Sequence, residues 1–423
     1  MLSPFDDLNL GVARNIIQTY DSPVYLVCSK TLIQRYQALD KAFKALWPNC
    51  QIAYSYKTNP LTGIARLLHA QGAWAEVVSR YELEIALNQV PAGQPIVFNG
   101  PLKSDDDLAL ALRHGVRIHV DHMDELQRLE FQSRKLGLEV DVGLRLNINE
   151  RDGWQRFGFA INGGAVDQAL DYIRASRWLT LAGIHTHIGT NIRDLSRFRQ
   201  MAIVVNQFVI MLYQTHGIQL QWIDVGGGLA GQNPSWDENI SQHPIPNASE
   251  YASAILPPLL AGLPEDYQPQ VLFEPGRTLL EPCVALLTQV VGTRDSDIDE
   301  QVLIIDGGIN AVPTAKVYRH RVEAFGTPVE LPGSERRYAT TLFGPLCLQA
   351  DTIAKGTPLA RLECGSPLLI HNVGAYNQSR SVPFIRLRPG TLLWQEKGCQ
   401  WLRKPETLSD HLRLETMTET EAV

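Results

Sequence analysis

This 423-residue chain has no basic block: 38 Lys and Arg are interspersed with 45 Asp and Glu for a net charge of −7. That leaves no cationic stripe for nucleic acid or for an anionic membrane surface. It has no run of about 18 apolar residues, and its opening stretch MLSPFDDLNLGVARN puts acids where a secretory leader needs an apolar core. The expectation is a cytoplasmic protein whose partner is a small molecule. Cysteine is sparse and shows no paired or metal-ligand spacing, so Cys28, Cys50, Cys283, Cys347, Cys364 and Cys399 read as reduced thiols. Low-complexity segments are missing too, and 44% hydrophobic content is enough to bury the cores of about two domains.

What is present is a regular alternation. Short β-rich runs occur at 51–57, 74–79, 95–100, 117–122, 139–147, 181–189, 221–228 and 270–277. Stretches between them, such as LTGIARLLHAQ and MDELQRLEFQSRKLG, repeat apolar residues at helical spacing. This is the pattern of parallel strands joined by helical crossovers, and eight strands suffice to close a (β/α)8 TIM barrel. The strand middles are apolar. Lys57, Ser79, Asn99, Asp121, Arg145, Asn147, His187, Gly226 to Gly228, Glu274 and Arg277 collect at the C-terminal ends, where such a barrel builds its active site. An open doubly wound sheet shares the alternation, but the GxGxxG expected after its first strand is absent.

Beyond Arg277 the helical periodicity fades into strand-like runs punctuated by Gly and Pro. The expected organisation is an α/β fold in which a barrel spans 29–277 and a β-rich barrel or sandwich spans 278–400. An N-terminal segment, 1–28, lends the strand VYLVC to that second domain, and a polar tail covers 401–423.

Several residues point to chemistry. Lys57 ends the first barrel run, YSYK, in aromatic company; a partly desolvated amine there is a usable Schiff-base nucleophile, although taken alone it reads more readily as a strand-end lysine reaching solvent, and only the rest of the constellation reverses that. DVGGGL after the seventh run lets backbone N–H groups approach a phosphate, and EPGR after the eighth supplies Glu274 for a protonated ring nitrogen and Arg277 for an anion. In HTHIGT, His187 offers a flat imidazole and Thr190 a hydroxyl. Pairing His187 with His185 on a metal is disfavoured, because no carboxylate or thiolate sits at suitable local spacing.

Taken in order, AYSYKTNP, AEVVSRYELEIAL, FNGPLKSDDDLALAL, LRLN, RFGF, GIHTHIGTNIRDLSRF, DVGGG, EPGR, DGGIN, GPLCLQAD and VGAYNQS resemble the alanine-racemase-like, fold type III decarboxylases that depend on pyridoxal 5'-phosphate and include diaminopimelate and ornithine decarboxylases. The resemblance spans about residues 20 to 395. It implies covalent attachment of the cofactor to Lys57, stacking of His187 on its ring, and pairing of Glu274 with the ring nitrogen. It further implies phosphate contacts from Thr190, Gly226, Gly227, Gly228, Gly276, Arg277 and Tyr376, with Glu76 and Arg145 lining the lysine side. Tyr318, Leu348 and Asp351 fall at substrate-facing positions. Cys347 would reach the partner subunit's site in a homodimer and return a proton to the substrate carbon.

The pattern also departs from its relatives. Leu348 stands where diaminopimelate decarboxylases resemble one another in carrying glutamate, and Thr314 aligns with their arginine. The combination is similar to a branch acting on siderophore precursors or carrier-linked amino acids, so the expected substrate is an amino acid or a larger conjugate, with Arg319, Arg321 and Arg380 as candidate cations for its distal end. The rival expectations are a racemase of the same fold, a diaminopimelate decarboxylase, and a homologue that binds the cofactor without catalysis.

Overall fold

The computed structural model describes residues 4–148, 156–236, 243–294, 297–325, 336–395 and 398–415. Two compact units emerge. One gathers the chain up to Lys30, a short crossing that begins at Asn233, and everything from Pro282 onward; the other holds the rest.

The second unit is a closed parallel barrel of eight strands: β1 (Cys50–Ser55), β2 (Trp74–Val77), β3 (Ile96–Phe98), β4 (Arg117–Val120), β5 (Val140–Asn147), β6 (Leu179–His185), β7 (Trp222–Asp224) and β8 (Gln270–Phe273). Each pairs with the next in parallel, with one register shift at Val142/Gly143 in the β5–β6 pair, and β8 closes on β1 through Val271 opposite Cys50. Helices cover the outside. Their starts are chemically marked: Ser79 caps Arg80–Gln89 by accepting from Glu82 N, and Ser104 with Asp107 forms a capping box for Asp105–Arg113. Ser79, grouped by sequence with the strand-end polar residues, thus serves a helix terminus.

Inside the barrel, large side chains sit opposite glycines. A Cβ on Gly143 of β5 would lie 2.2 Å from the His119 ring, and one on Gly183 of β6 would lie 2.1 Å from the Trp222 indole. The two glycines make room for a polar ring and an indole in a layer that branched aliphatics usually fill.

The other unit is a mixed nine-stranded sheet. Strand Val24–Cys28 lies antiparallel to Val284–Arg294 and parallel to Gly390–Gln395, all five of its residues being buried, so the opening strand does join the β-rich unit. The chain also returns briefly to this unit near Asn233, a crossing that the alternation of runs does not reveal. The tail expected from residue 401 begins instead in regular structure: strand Gly398–Arg403 pairs with Gly390–Gln395, Trp401 packs edge-on against Tyr20, and a capping box at Thr407 starts a short helix at Leu408. Residues 416–423 of that tail lie outside the described residues. Among the described residues no helix is long and apolar enough to cross a membrane.

Candidate active site

Strand β1 runs into a single 3-10 turn, Tyr56–Thr58, which carries Lys57 between buried Tyr56 and Thr58. Its Nζ donates to both oxygens of Glu76 on β2, at 3.2 and 3.3 Å, and Glu76 has no exposed surface. The register Ser55 opposite Glu76 brings the two together.

Glu274 follows β8 and is buried. Asn99, at the end of β3, donates one amide hydrogen to Glu274 Oε1 at 2.5 Å and the other to Glu76 Oε1 at 3.1 Å. One side chain therefore joins the lysine's carboxylate to the carboxylate expected to face a ring nitrogen. Close approach of the strand ends gathers the rest: a Cβ on Gly276 would come within 1.9 Å of Thr58 Oγ1, and one on Gly227 within 2.3 Å of the Glu274 carbonyl. Gly226 and Gly228 adopt positive φ of 68° and 92°, which favours glycine on conformational grounds as well.

His187 stands half-buried beside this turn, and Gly227 N–H donates to its Nδ1 at 3.2 Å. Burial, and then the Lys57 charge, push its pKa down to about 3, so the ring is neutral at physiological pH. Gly226 N–H donates to Asp224 Oδ1 at 2.9 Å. Two of the three amides read from sequence as a phosphate cradle thus hold Asp224 and His187. Arg277, also read as an anion ligand, pairs with buried Glu281 at 2.8 Å. Arg145 is buried beside Asp121 at 3.3 Å with its guanidinium over the Phe157 ring, and Thr190 is exposed.

Below this rim, around Glu274, lies a polar layer to whose other members the sequence reading assigned no role. His119 and His185 stack at 5.1 Å and 17°, and burial drives both well below the ordinary histidine range. Burial and the neighbouring Glu274 raise Asp224 well above the ordinary carboxylate range. His119, Asp224 and Glu274 offer ligand atoms within 4.8 Å of one another, but both His119 nitrogens are engaged, by Trp222 and Asn99. Lys103 and Glu125 form a fully buried ion pair at 2.7 Å, with Lys103 also donating to the carbonyls of Gly100 and His119. The signal available in the sequence was a polar residue at an inward position of an apolar strand, as in RIHV.

In the β-rich unit, Cys347 and Leu348 are exposed on the turn after Tyr338–Phe343. Asp351 is 2% exposed and accepts from the backbone of Ile309 at 2.7 Å and Leu346 at 2.8 Å, bracing the turn that presents Cys347. Tyr376 adopts a φ of 60°, unusual for a bulky residue. Its neighbour Asn377 is a buried hub that accepts from Thr314 N and Thr314 Oγ1 at 3.1 and 2.7 Å, while Thr314 Oγ1 also lies 2.9 Å from His320 Nε2. Tyr318 is buried in the same region. Arg319 covers the Trp236 ring, Arg321 bonds Glu323 and His371, and Arg380 is exposed.

Residues 29–281 match the family model described as the pyridoxal binding domain of pyridoxal-dependent decarboxylases. Over 416 residues the chain is 28% identical to the diaminopimelate decarboxylase of Methanocaldococcus jannaschii, covering 94% of this chain and 92% of that protein. The diaminopimelate decarboxylase of Deinococcus radiodurans is 29% identical, with 95% and 98% covered. Among solved structures, the M. jannaschii diaminopimelate decarboxylase in complex with L-lysine is similar with a TM-score of 0.87 at 26% identity, covering 96% of this chain and 94% of that one. A Vibrio vulnificus lysine/ornithine decarboxylase, at 22% identity and a TM-score of 0.75, shares the fold.

Proposed function

Because this chain belongs to the pyridoxal-dependent decarboxylases, we propose that it removes the α-carboxylate of an amino acid, with its cofactor held at the C-terminal mouth of the barrel by Lys57. The observation that carries this reading is the Lys57 amine set 3.2 Å from a fully buried carboxylate, Glu76, which shares the Asn99 amide with Glu274. The residues fit pyridoxal phosphate: a primary amine, a neutral imidazole able to lie against an aromatic ring, and a buried anion suited to a protonated ring nitrogen.

When bound, that cofactor supplies an electron sink for the pair left behind by the departing carboxylate. The side chains around it do the rest. Lys57 would hold the aldehyde carbon covalently and yield it to the substrate amine, with Glu76 orienting its Nζ. Glu274 would keep a proton on the ring nitrogen, and His187 would pack its imidazole against the ring. Gly228, Gly276, Thr190 and Tyr376 would take the phosphate, assisted by Gly226, Gly227 and Arg277 once their present partners yield. Cys347 Sγ, from the partner subunit of a homodimer, would return a proton to the substrate carbon.

For the substrate, the named relatives favour diaminopimelate over the siderophore-type conjugate expected from the sequence. One observation keeps the conjugate as a second reading: Leu348 is an exposed apolar residue at the position where diaminopimelate decarboxylases carry glutamate, and the Thr314 hydroxyl is spent on Asn377 and His320. A charged distal group in a closed pocket loses about 1.5–3 kcal/mol when its charge-assisted partner is missing. Measuring CO2 release from diaminopimelate, ornithine, lysine and amino-acid conjugates in parallel tests both readings. An efficiency of roughly 10⁴ M⁻¹s⁻¹ or more on diaminopimelate eliminates the second, and no CO2 from any of them overturns the first.

A further inference from the structure

The polar layer beneath the rim contains a hydrogen-bond chain whose direction is set from both ends. An indole N–H only donates, and Trp222 Nε1 lies 2.8 Å from His119 Nε2. That nitrogen therefore accepts, and the remaining ring proton sits on Nδ1. His119 Nδ1 lies 2.7 Å from Asn99 Oδ1, so the imidazole donates to the amide carbonyl. The Asn99 Nδ2 hydrogens are left for Glu76 and Glu274, at 3.1 and 2.5 Å, which accept and cannot donate when ionised. A donor-only group at one end and two acceptors at the other demand the same orientation of the amide.

The layer is built for this chain of contacts. Gly143 and Gly183 clear the space that His119 and Trp222 occupy. Arg117 lies between the Trp74 and Trp222 rings, 4.7 and 4.8 Å from their centroids, and holds the indole from below. The other charged or titratable groups around His119 are stacked His185, Asp224 at 4.0 Å, Glu274 and Lys103.

We infer that Trp222, His119 and Asn99 form a directional relay in which Asn99 is a positioning residue, holding the Lys57 carboxylate and the Glu274 carboxylate in one arrangement. With the opposite orientation the Asn99 carbonyl would face two buried anions and lose two hydrogen bonds. The relay sets the two carboxylates that would serve the cofactor, and in that respect it rests on the proposed function.

Two measurements test it. The first needs no cofactor: nitrogen-15 NMR of histidine-labelled protein, with His119 identified by the resonances missing in His119→Gln. The relay requires a neutral His119 with its proton on Nδ1 and a bare Nε2. A proton on Nε2, in either the other tautomer or the imidazolium, overturns it. The second compares wild type with Trp222→Phe and Asn99→Leu, reading cofactor affinity and the pH at which the bound cofactor's absorbance changes. Loss of one hydrogen bond at Trp222→Phe is expected to weaken cofactor binding about tenfold and to displace the absorbance transition. Asn99→Leu should move both further in the same direction, with kcat falling more than KM rises. A Trp222→Phe protein that is merely less heat-stable, with affinity and transition unchanged, would sink the relay. Wild-type protein that binds no cofactor would instead overturn the proposed function, and the NMR result would still judge the relay.

Discussion

The amine of Lys57 and the carboxylate of Glu76 form an uneven pair: the lysine side chain keeps 36% of its exposure and the glutamate has none. The open partner can be reached by an incoming aldehyde or amine, while the closed one is fixed by the barrel wall.

Removal of the lysine should therefore have two separable effects. Lys57→Ala is expected to abolish turnover and the yellow absorbance of bound cofactor, and borohydride reduction of wild type should label the peptide containing Lys57. It should also lower stability by about 1–3 kcal/mol, because Glu76 is left as a buried anion with an unmet bond. Adding Glu76→Gln should recover much of that loss without restoring activity. Chemical denaturation of the single and double variants checks the second effect, and a reduced label on another lysine would refute the first.

Glu82 provides a pH-dependent test of the same rim. Burial pushes it up to about 7 from the ordinary 4.5, although it still accepts from Val78 N–H at 2.9 Å. A raised folded-state pKa means that the neutral form is the one the fold prefers. Its contribution is complete below about pH 4.5 and is lost as pH rises through about 7. Glu82→Gln keeps the carbonyl acceptor and removes the titration. It should gain on wild type by on the order of 2 kcal/mol near pH 8 and be close to neutral near pH 5. Equal displacement of the melting curves at both pH values would show that Glu82 does not titrate in this window.

The proposal that a homodimer shares its active sites carries a quantitative prediction. Mixing inactive Lys57→Ala subunits with impaired Cys347→Ala subunits should restore about a quarter of wild-type activity when exchange is random, since half the dimers are mixed and each has one competent site. Subunit exchange demonstrated by native mass spectrometry with no recovery of activity would place both residues in the same subunit's site.

Leu348 is the simplest probe of substrate choice. Leu348→Glu supplies a carboxylate on an exposed turn, so it should cost little stability, less than about 0.5 kcal/mol. It is expected to raise kcat/KM for diaminopimelate about tenfold, as a single charge-assisted hydrogen bond allows. A lower or unchanged value would mean that the Cys347 turn does not face the distal end of that substrate.

Much of this was readable in the chain alone. Period-two and period-3.6 patterns depend on local burial, so the eight barrel strands and their covering helices appear near the expected positions, and the polar ends of YSYK, HTHIG, DVGGG and EPGR come from adjacent strands. Tertiary structure decided how the polar residues share their bonds. That the Gly227 amide goes to His187 and that the Ile309 amide holds Asp351 follow from the proximity of atoms far apart in sequence, whereas Gly226 with Asp224 and Arg277 with Glu281 are choices among near neighbours that the folded path of the chain decides. The Trp222, His119 and Asn99 chain was hidden for the same reason: each residue sits on a different strand, and only closing the barrel, with Gly143 and Gly183 giving way, brings a donor, a ring and an amide into line. A sequence displays the hydrogen-bonding capacity of each side chain, but a buried donor's choice among acceptors is a property of three-dimensional proximity, where leaving any one of them unmet is costly.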